Sequence, residues 1–242
     1  MPFEPRTYRD SMNTPDLISF EVVEGETDLF ISAPLDLTET ARDAVRACRA
    51  EIQAQIVAQP EFGTSFDPVE VPADTPAIIR SMAAAGQAAG VGPMAAVAGA
   101  VAEYVGRALL TRADQVIVEN GGDLFIATNI LRRLAVFAGD SSLSNRVIIA
   151  VRPGQTPLGV CTSSGTVGHS ISFGRADAAV AIAPDAALAD AWATRLGNLV
   201  ATADDVAAAI TAAQEAPGLT GALIIKDDKM AVWGDMELEP LT

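Results

Sequence analysis

Residues 81 to 102, SMAAAGQAAGVGPMAAVAGAVA, carry no charge. A run of this length without a charged side chain has to be buried, either in a bilayer or against the rest of its own chain. Its composition argues against a bilayer. The run has no Leu, Ile or Phe, only small residues with three valines and two methionines, and Gly90, Gly92 and Pro93 break it near the centre. The expectation is therefore two helices, at about 76–89 and 93–111, packed closely through small side chains and with no membrane partner.

The charge balance narrows the ligand class. With 31 acidic against 16 basic residues and a net charge of -15, the chain is unsuited to binding a nucleic-acid backbone or an anionic lipid surface. A phosphate-bearing ligand would have to be held locally, by backbone amides at a helix start or a glycine turn, or by a metal ion. Cys48 and Cys161 match no metal-ligand spacing and read as buried thiols of a cytoplasmic protein, and MPFEPRTYRD has no apolar segment behind its charges, so no secretory signal is expected. A length of 242 residues is expected to form one domain over 1–242, with two pseudo-related halves left open.

Patterning points to α+β with mostly antiparallel sheet. LISFEVVEGETDLFISAP reads as a hairpin turning at Gly25, and Asp36 with Glu39 as a capping box for a helix whose Ala41, Val45, Cys48, Ile52 and Ile56 keep helical spacing. Strands at about 115–119 and 123–128 flank Asn120-Gly121, a strong hairpin signal. LAVFAG, RVIIAV, LGVCT, HSISFG and AAVAIAP follow as short apolar runs of sheet character. Helices are then expected at 185–201 and 204–215, the second with Asp204 near its N-terminus, and GALIIKDDKMAVWGDMEL closes the chain as a hairpin turning at Asp227 and Asp228. Long apolar segments and a hairpin at each end leave room for a homodimer.

Three features could carry chemistry. Gly90, Gly92 and Ala95 match GxGxxA, but the preceding SMAAAGQAA is helical where a dinucleotide fingerprint needs a strand, so a plain helix-to-helix turn is preferred. Within GVCTSSGTVGHSISFG, the residue two before Ser163 is Cys161 and not glycine, so no nucleophile elbow is present. Thr162, Ser163, Ser164 and Gly165 suit either the binding of phosphate or carbonyl oxygens or a polar bend, and His169, the single histidine, suits either a Ser-His pairing or a structural hydrogen bond. In ALADAWATRLGN, Asp190, Thr194 and Asn198 form a stripe at helical spacing. A carboxylate and a hydroxyl one turn apart can share a hard cation such as Mg²⁺, and an amphipathic helix with a solvated face explains the same pattern.

Taken in order, VENGGDLFI (118–126), VCTSSG (160–165), HSISFG (169–174) and ADAWATRLG (189–197) resemble the ApbE-type flavin transferases. SFEVVEGETDLFISA and PMAAVAGAVAEYVG look closer still to a separate branch of that superfamily. The resemblance implies an ApbE-like (T-fold-like) domain of mostly antiparallel sheets with helices packed on the outer faces. It also implies binding of FAD or FMN and Mg²⁺-dependent transfer of FMN from FAD to a threonine of an acceptor protein, or cleavage of the FAD pyrophosphate. By that resemblance Asp190 and Thr194 are metal ligands, with Asp190 at the reaction centre. Gly121, Gly122 and Thr162 to Gly165 line the nucleotide, and His169 is a proton carrier or ligand contact. Two departures are visible: the family's lysine-glycine step aligns with Ala98-Gly99, and HSISFG is shorter than the family's His-to-Gly loop. They leave a non-catalytic flavin- or nucleotide-binding carrier, sensor or accessory protein as the rival reading, with a folded interaction domain behind it.

Overall fold

The structure is a computed structural model that describes residues 8, 9, 12, 14–166 and 173–240. The first hairpin forms as its alternation predicts, β1 (Ile18–Glu24) pairing with β2 (Thr27–Ala33). Then come α1 (Thr38–Ala58), the single turn α2 (Glu61–Thr64), α3 (Ala77–Ala89), a 3₁₀ turn at Pro93–Ala96 and α4 (Val97–Leu109). Five strands and one 3₁₀ turn follow: β3 (Val116–Asn120), β4 (Asp123–Ala127), β5 (Arg132–Ala135), β6 (Val147–Val151), a 3₁₀ turn at Pro153–Gln155 and β7 (Leu158–Ser163). The described chain ends with β8 (Ala178–Ala183), α5 (Ala186–Asn198), α6 (Val206–Gln214), β9 (Gly221–Lys226), β10 (Lys229–Gly234) and β11 (Glu237–Pro240).

Eight strands make one sheet in the order β1-β2-β3-β4-β7-β8-β9-β10, and β11-β6-β5 make a second. Every pairing within them is antiparallel. Side-chain alternation assigns the two faces of the large sheet. Val118, Phe125, Cys161 and Ala181 face the helices, where they pack with Val45, Met82, Val105 and Leu196. Ile117, Ile126, Val160 and Ile182 face the small sheet and meet Val136, Ile149 and Val151. The expected α+β, mostly antiparallel architecture is thus present. The helices form one outer layer and the three-stranded sheet the other. Central strands such as β3 and β8 are covered on both faces, and this is why every residue of VIVEN is buried and AAVAIA is a continuous apolar run.

The uncharged run folds as the expected helix pair. α3 and the 93–109 segment are bent by 106° to one another, and no single helix among the described residues is long and apolar enough to cross a membrane. Ile78, Ile79, Met82, Ala100, Val101 and Val105 of the pair are buried. Gly90 caps α3 in the left-handed region (φ 68°), and at Gly92 a side chain would run into the backbone of Ser65, so this turn serves helix packing.

Several local expectations are corrected. No capping box opens α1: Leu37 holds the N-cap, the Asp36 carboxylate accepts from the amide and hydroxyl of Thr38, and Glu39 pairs with Arg42. The β3–β4 turn lies one residue later than Asn120-Gly121. Asn120 stays in register with Asp123, leaving Gly121 (φ 69°) and Gly122 (φ 101°) as the two turn residues, a conformation open to glycine at low strain. Asp204 lies in the 3₁₀ turn Ala203–Asp205 just before α6, near the N-terminus as expected, but its carboxylate pairs with Lys229, while Asp205 accepts from the amides of Ala201 and Thr202 and the Thr202 hydroxyl. In LAVFAG the strand ends at Ala135. In HSISFG (169–174), residues 169–172 lie outside the described residues, and Phe173 and Gly174 form a bend.

Candidate functional site

The turn residues fall at one end of the large sheet, where the β3–β4 turn and the end of β7 meet the helix layer. Asp123, the first residue of β4, points to the helix face and is only 7% exposed. Its Oδ1 accepts from the amide of Thr162 at 3.2 Å. Asp190, on α5, is 8% exposed, and its Oδ2 accepts from the amide of Gly99 at 2.9 Å, at the start of α4. Asn120 donates from Nδ2 to the carbonyl of Ala98 at 3.1 Å. Asp190 and Asn120 thus both reach the N-terminal turn of α4, and the Asp123 carboxylate lies close enough to Asp190 to feel its charge.

Neither carboxylate forms a salt bridge with an arginine or lysine among the described residues. Burial therefore acts on both without a compensating cation. It pushes Asp190 up to about 7, against the pull of the Gly99 and Ala98 amides. Burial also raises Asp123 well above the usual carboxylate range, with the charge of Asp190 adding to it. The Cys161 thiol, which donates to the carbonyl of Ala186 at 3.4 Å, is held well above its ordinary value by burial and by these two acids. It sits as an inert thiol beside the pair.

Close approach of backbone makes the convergence possible. A Cβ at Gly99 would collide with the carbonyl of Ala186 and stand 2.8 Å from the Cβ of Asp190, so glycine there lets α4 and α5 touch. Glu103, one turn further along α4, accepts from the amide of Ala186 at 2.6 Å and so satisfies the first free N–H of α5, while Asp185 accepts from Leu188.

The other sequence-predicted residues are placed as follows. Ser163 follows Cys161 onto the helix face and is buried, beside Gly197 of α5. Thr162 follows Val160 onto the opposite face, and it reaches Asp123 through its amide. Ser164 and Gly165 close the turn locally: the Gly165 amide donates to the carbonyl of Ala176 at 2.9 Å, and the Ser164 Oγ accepts from the amide of Thr166. Gly121 and Gly122 form the tip of the β3–β4 turn, and the Gly122 amide donates to Glu119 at 2.9 Å. Thr194 lies one helical turn beyond Asp190 and is half-buried. Asn198, the next in that stripe, accepts from the amide of Phe173 at 2.9 Å and so anchors the chain just after residues 167–172. His169 lies outside the described residues. The residue missed by the sequence reading is Asp123. An acidic residue opening the otherwise apolar DLFIA was the available signal.

Asp123 and Asp190 offer oxygen donors, Thr194 adds a hydroxyl, and the uncompensated buried charge is the environment a hard divalent cation fills. No group of three or more His, Cys, Asp or Glu side chains suited to a metal occurs among the described residues. A cation here would keep waters or ligand oxygens in its shell.

Residues 9–231 match the family described as AbpE bacteria. The chain belongs to that family. Among relatives, a UPF0280 protein of Methanocella arvoryzae is 40% identical over 210 residues, covering 86% of this chain and 85% of its own. One from Methanoculleus marisnigri is 42% identical over 203 residues, covering 82% and 80%. In solved structures, the fold is shared with the flavin transferase ApbE of Vibrio cholerae, at a TM-score of 0.59 and 12% identity over 90% of this chain and 96% of that one. The apo flavinyl transferase ApbE of Pseudomonas stutzeri gives a TM-score of 0.57 at 13% identity, over 90% and 93%.

Proposed function

We propose that this family member binds a flavin nucleotide, FAD or FMN, at the end of the sheet formed by the Gly121-Gly122 turn, residues 162–165 and the start of α4, with Mg²⁺ held by Asp190 and Thr194. The observation that carries the reading is the buried pair of Asp123 and Asp190, which has no cationic partner among the described residues. The resemblance of the four motifs and the fold shared with the flavin transferases of Vibrio cholerae and Pseudomonas stutzeri support it.

When bound, the metal ion would supply the positive charge that pyrophosphate oxygens need. The chain's residues do the rest. Asp190 is held by the amides at the start of α4, which orient its carboxylate as a ligand. Asp123 is poised to hold a proton between itself and Asp190 until the cation enters. In the transfer, the hydroxyl oxygen of a threonine on the acceptor bonds to the FMN phosphorus and the anhydride bond to AMP breaks. The hydroxyl proton leaves to a base, and Asp123 is the buried carboxylate available for it. With water as acceptor the same step yields FMN and AMP. The test is release of AMP from FAD with and without MgCl₂. Asp190→Ala should abolish it, and equal turnover in the variant would refute the metal assignment.

A second reading is favoured by Ala98 standing where the family's enzymes carry lysine, which leaves the start of α4 without a side-chain cation. Here the protein holds the nucleotide without cleaving it, as a carrier, sensor or accessory subunit. Protein that binds FAD and releases no AMP with any divalent metal identifies this case.

A further inference from the structure

The Gly121-Gly122 turn is held from both faces of the sheet, and the hold on the face away from the helices comes from the N-terminus. Glu119 lies on that face, 1% exposed, in register with Phe30 of β2. Its Oε1 accepts from the Gly122 amide at 2.9 Å and from the Tyr8 hydroxyl at 2.6 Å. Its Oε2 accepts from Arg9 Nε at 2.7 Å and lies 2.6 Å from Nη2, a forked contact. Arg9 is itself buried. It donates to the Asp28 carboxylate at 2.8 Å and to the Asp28 carbonyl at 3.0 Å, and its guanidinium lies 5.8 Å from the centroid of the Phe30 ring.

Two adjacent glycines have more backbone freedom to lose than any other pair, so a Gly-Gly turn adopts one conformation only if something external fixes it. On the helix face Asn120 does so through Ala98. On the other face the fixing group is a carboxylate, and a buried carboxylate keeps its charge and its orientation only while a cation meets it. Arg9 is that cation, and it is tied to β2 independently of the turn.

We propose that Arg9 is a positioning residue for the nucleotide site: through Glu119 it sets the conformation of the Gly121-Gly122 turn, and so the affinity for the nucleotide phosphates that the turn faces. The inference rests on the nucleotide reading for its affinity part and on geometry alone for its conformational part. Three variants separate these: Arg9→Met, Arg9→Lys and the double variant Arg9→Met/Glu119→Gln. The double variant also removes the charge that Arg9→Met strands, and so separates loss of positioning from loss of folding. Two readouts apply, amide hydrogen exchange at Gly122, which needs no ligand, and titration with FAD in MgCl₂. Arg9→Met and the double variant are expected to exchange Gly122 at least about tenfold faster and to bind FAD about tenfold more weakly. Arg9→Lys should fall between, because an ammonium restores the charge without the fork. If the double variant recovers the wild-type melting temperature and also keeps Gly122 exchange and FAD affinity within about twofold, Arg9 serves stability alone and the proposal is overturned. If the wild type binds no FAD, the nucleotide reading falls by itself, and unchanged Gly122 exchange in the double variant would still overturn the positioning role.

Discussion

Neutralising the carboxylate pair tests the electrostatic core of the site most directly. Asp190 is raised to about 7 in the folded protein by burial, against an ordinary value of 3.8. An acid whose folded value is raised stabilises the fold fully below its unfolded value, and the contribution is lost as pH rises to the folded value. The loss therefore runs from about pH 4 to about pH 7. At roughly 1.36 kcal/mol per pH unit, the part between pH 5 and 8 is roughly 3 kcal/mol. For a chain of this length that corresponds to about 6–12 °C of melting temperature. The window is otherwise sparse in titrating side chains, since the chain has one histidine. Urea unfolding of metal-free protein at pH 5 and pH 8 should show the wild type losing roughly 3 kcal/mol more than Asp123→Asn/Asp190→Asn, with Asp190→Asn between them. Parallel curves for wild type and double variant would show that the pair does not hold a proton in the folded state, and the reasoning from burial would fail.

The remaining predictions are shorter. At pH 8, MgCl₂ at about a hundred times its dissociation constant should stabilise the wild type by about 2.7 kcal/mol and leave Asp123→Asn/Asp190→Asn unmoved, as read by thermal unfolding. Gly99→Ala places a methyl against the Ala186 carbonyl and 2.8 Å from the Asp190 Cβ, so it should destabilise by about 1–3 kcal/mol in urea unfolding. Gly106→Ala would crowd the Phe125 ring, with a Cβ 2.6 Å from Cε1, and should cost a similar amount without changing any ligand affinity. Glu103→Ala leaves the Ala186 amide, now bonded at 2.6 Å, without its acceptor, and a loss of about 1–3 kcal/mol is expected by the same measurement.

Local pattern determined much of this protein. Alternation in ISFEVVE and TDLFISA, the turn at Gly25, and the helical spacing of Val45, Cys48 and Ile52 each depend on neighbours a few residues away, and all appear where the sequence places them. The uncharged run likewise had to become buried helix, because it has neither charge for solvent nor bulk for a bilayer. Capping was less legible. Asp36, Asp204 and Asp205 are chemically equal candidates, and the backbone angles at each helix start select among them.

The site was legible only in part. Asp190 stood out because its helix repeats polar residues, whereas Asp123, Glu119 and Glu103 are single acids in apolar segments and show no period. Their meaning comes from residues far away in sequence: Asp190 for Asp123, Arg9 for Glu119, and Ala186 for Glu103. A buried charge is tolerable only in the presence of its partners, and for these acids the partners are supplied by tertiary packing. The sequence by itself thus determined most of the elements and the family resemblance. The tertiary structure decided which carboxylates share one low-dielectric space, and that sharing is what raises their affinity for protons.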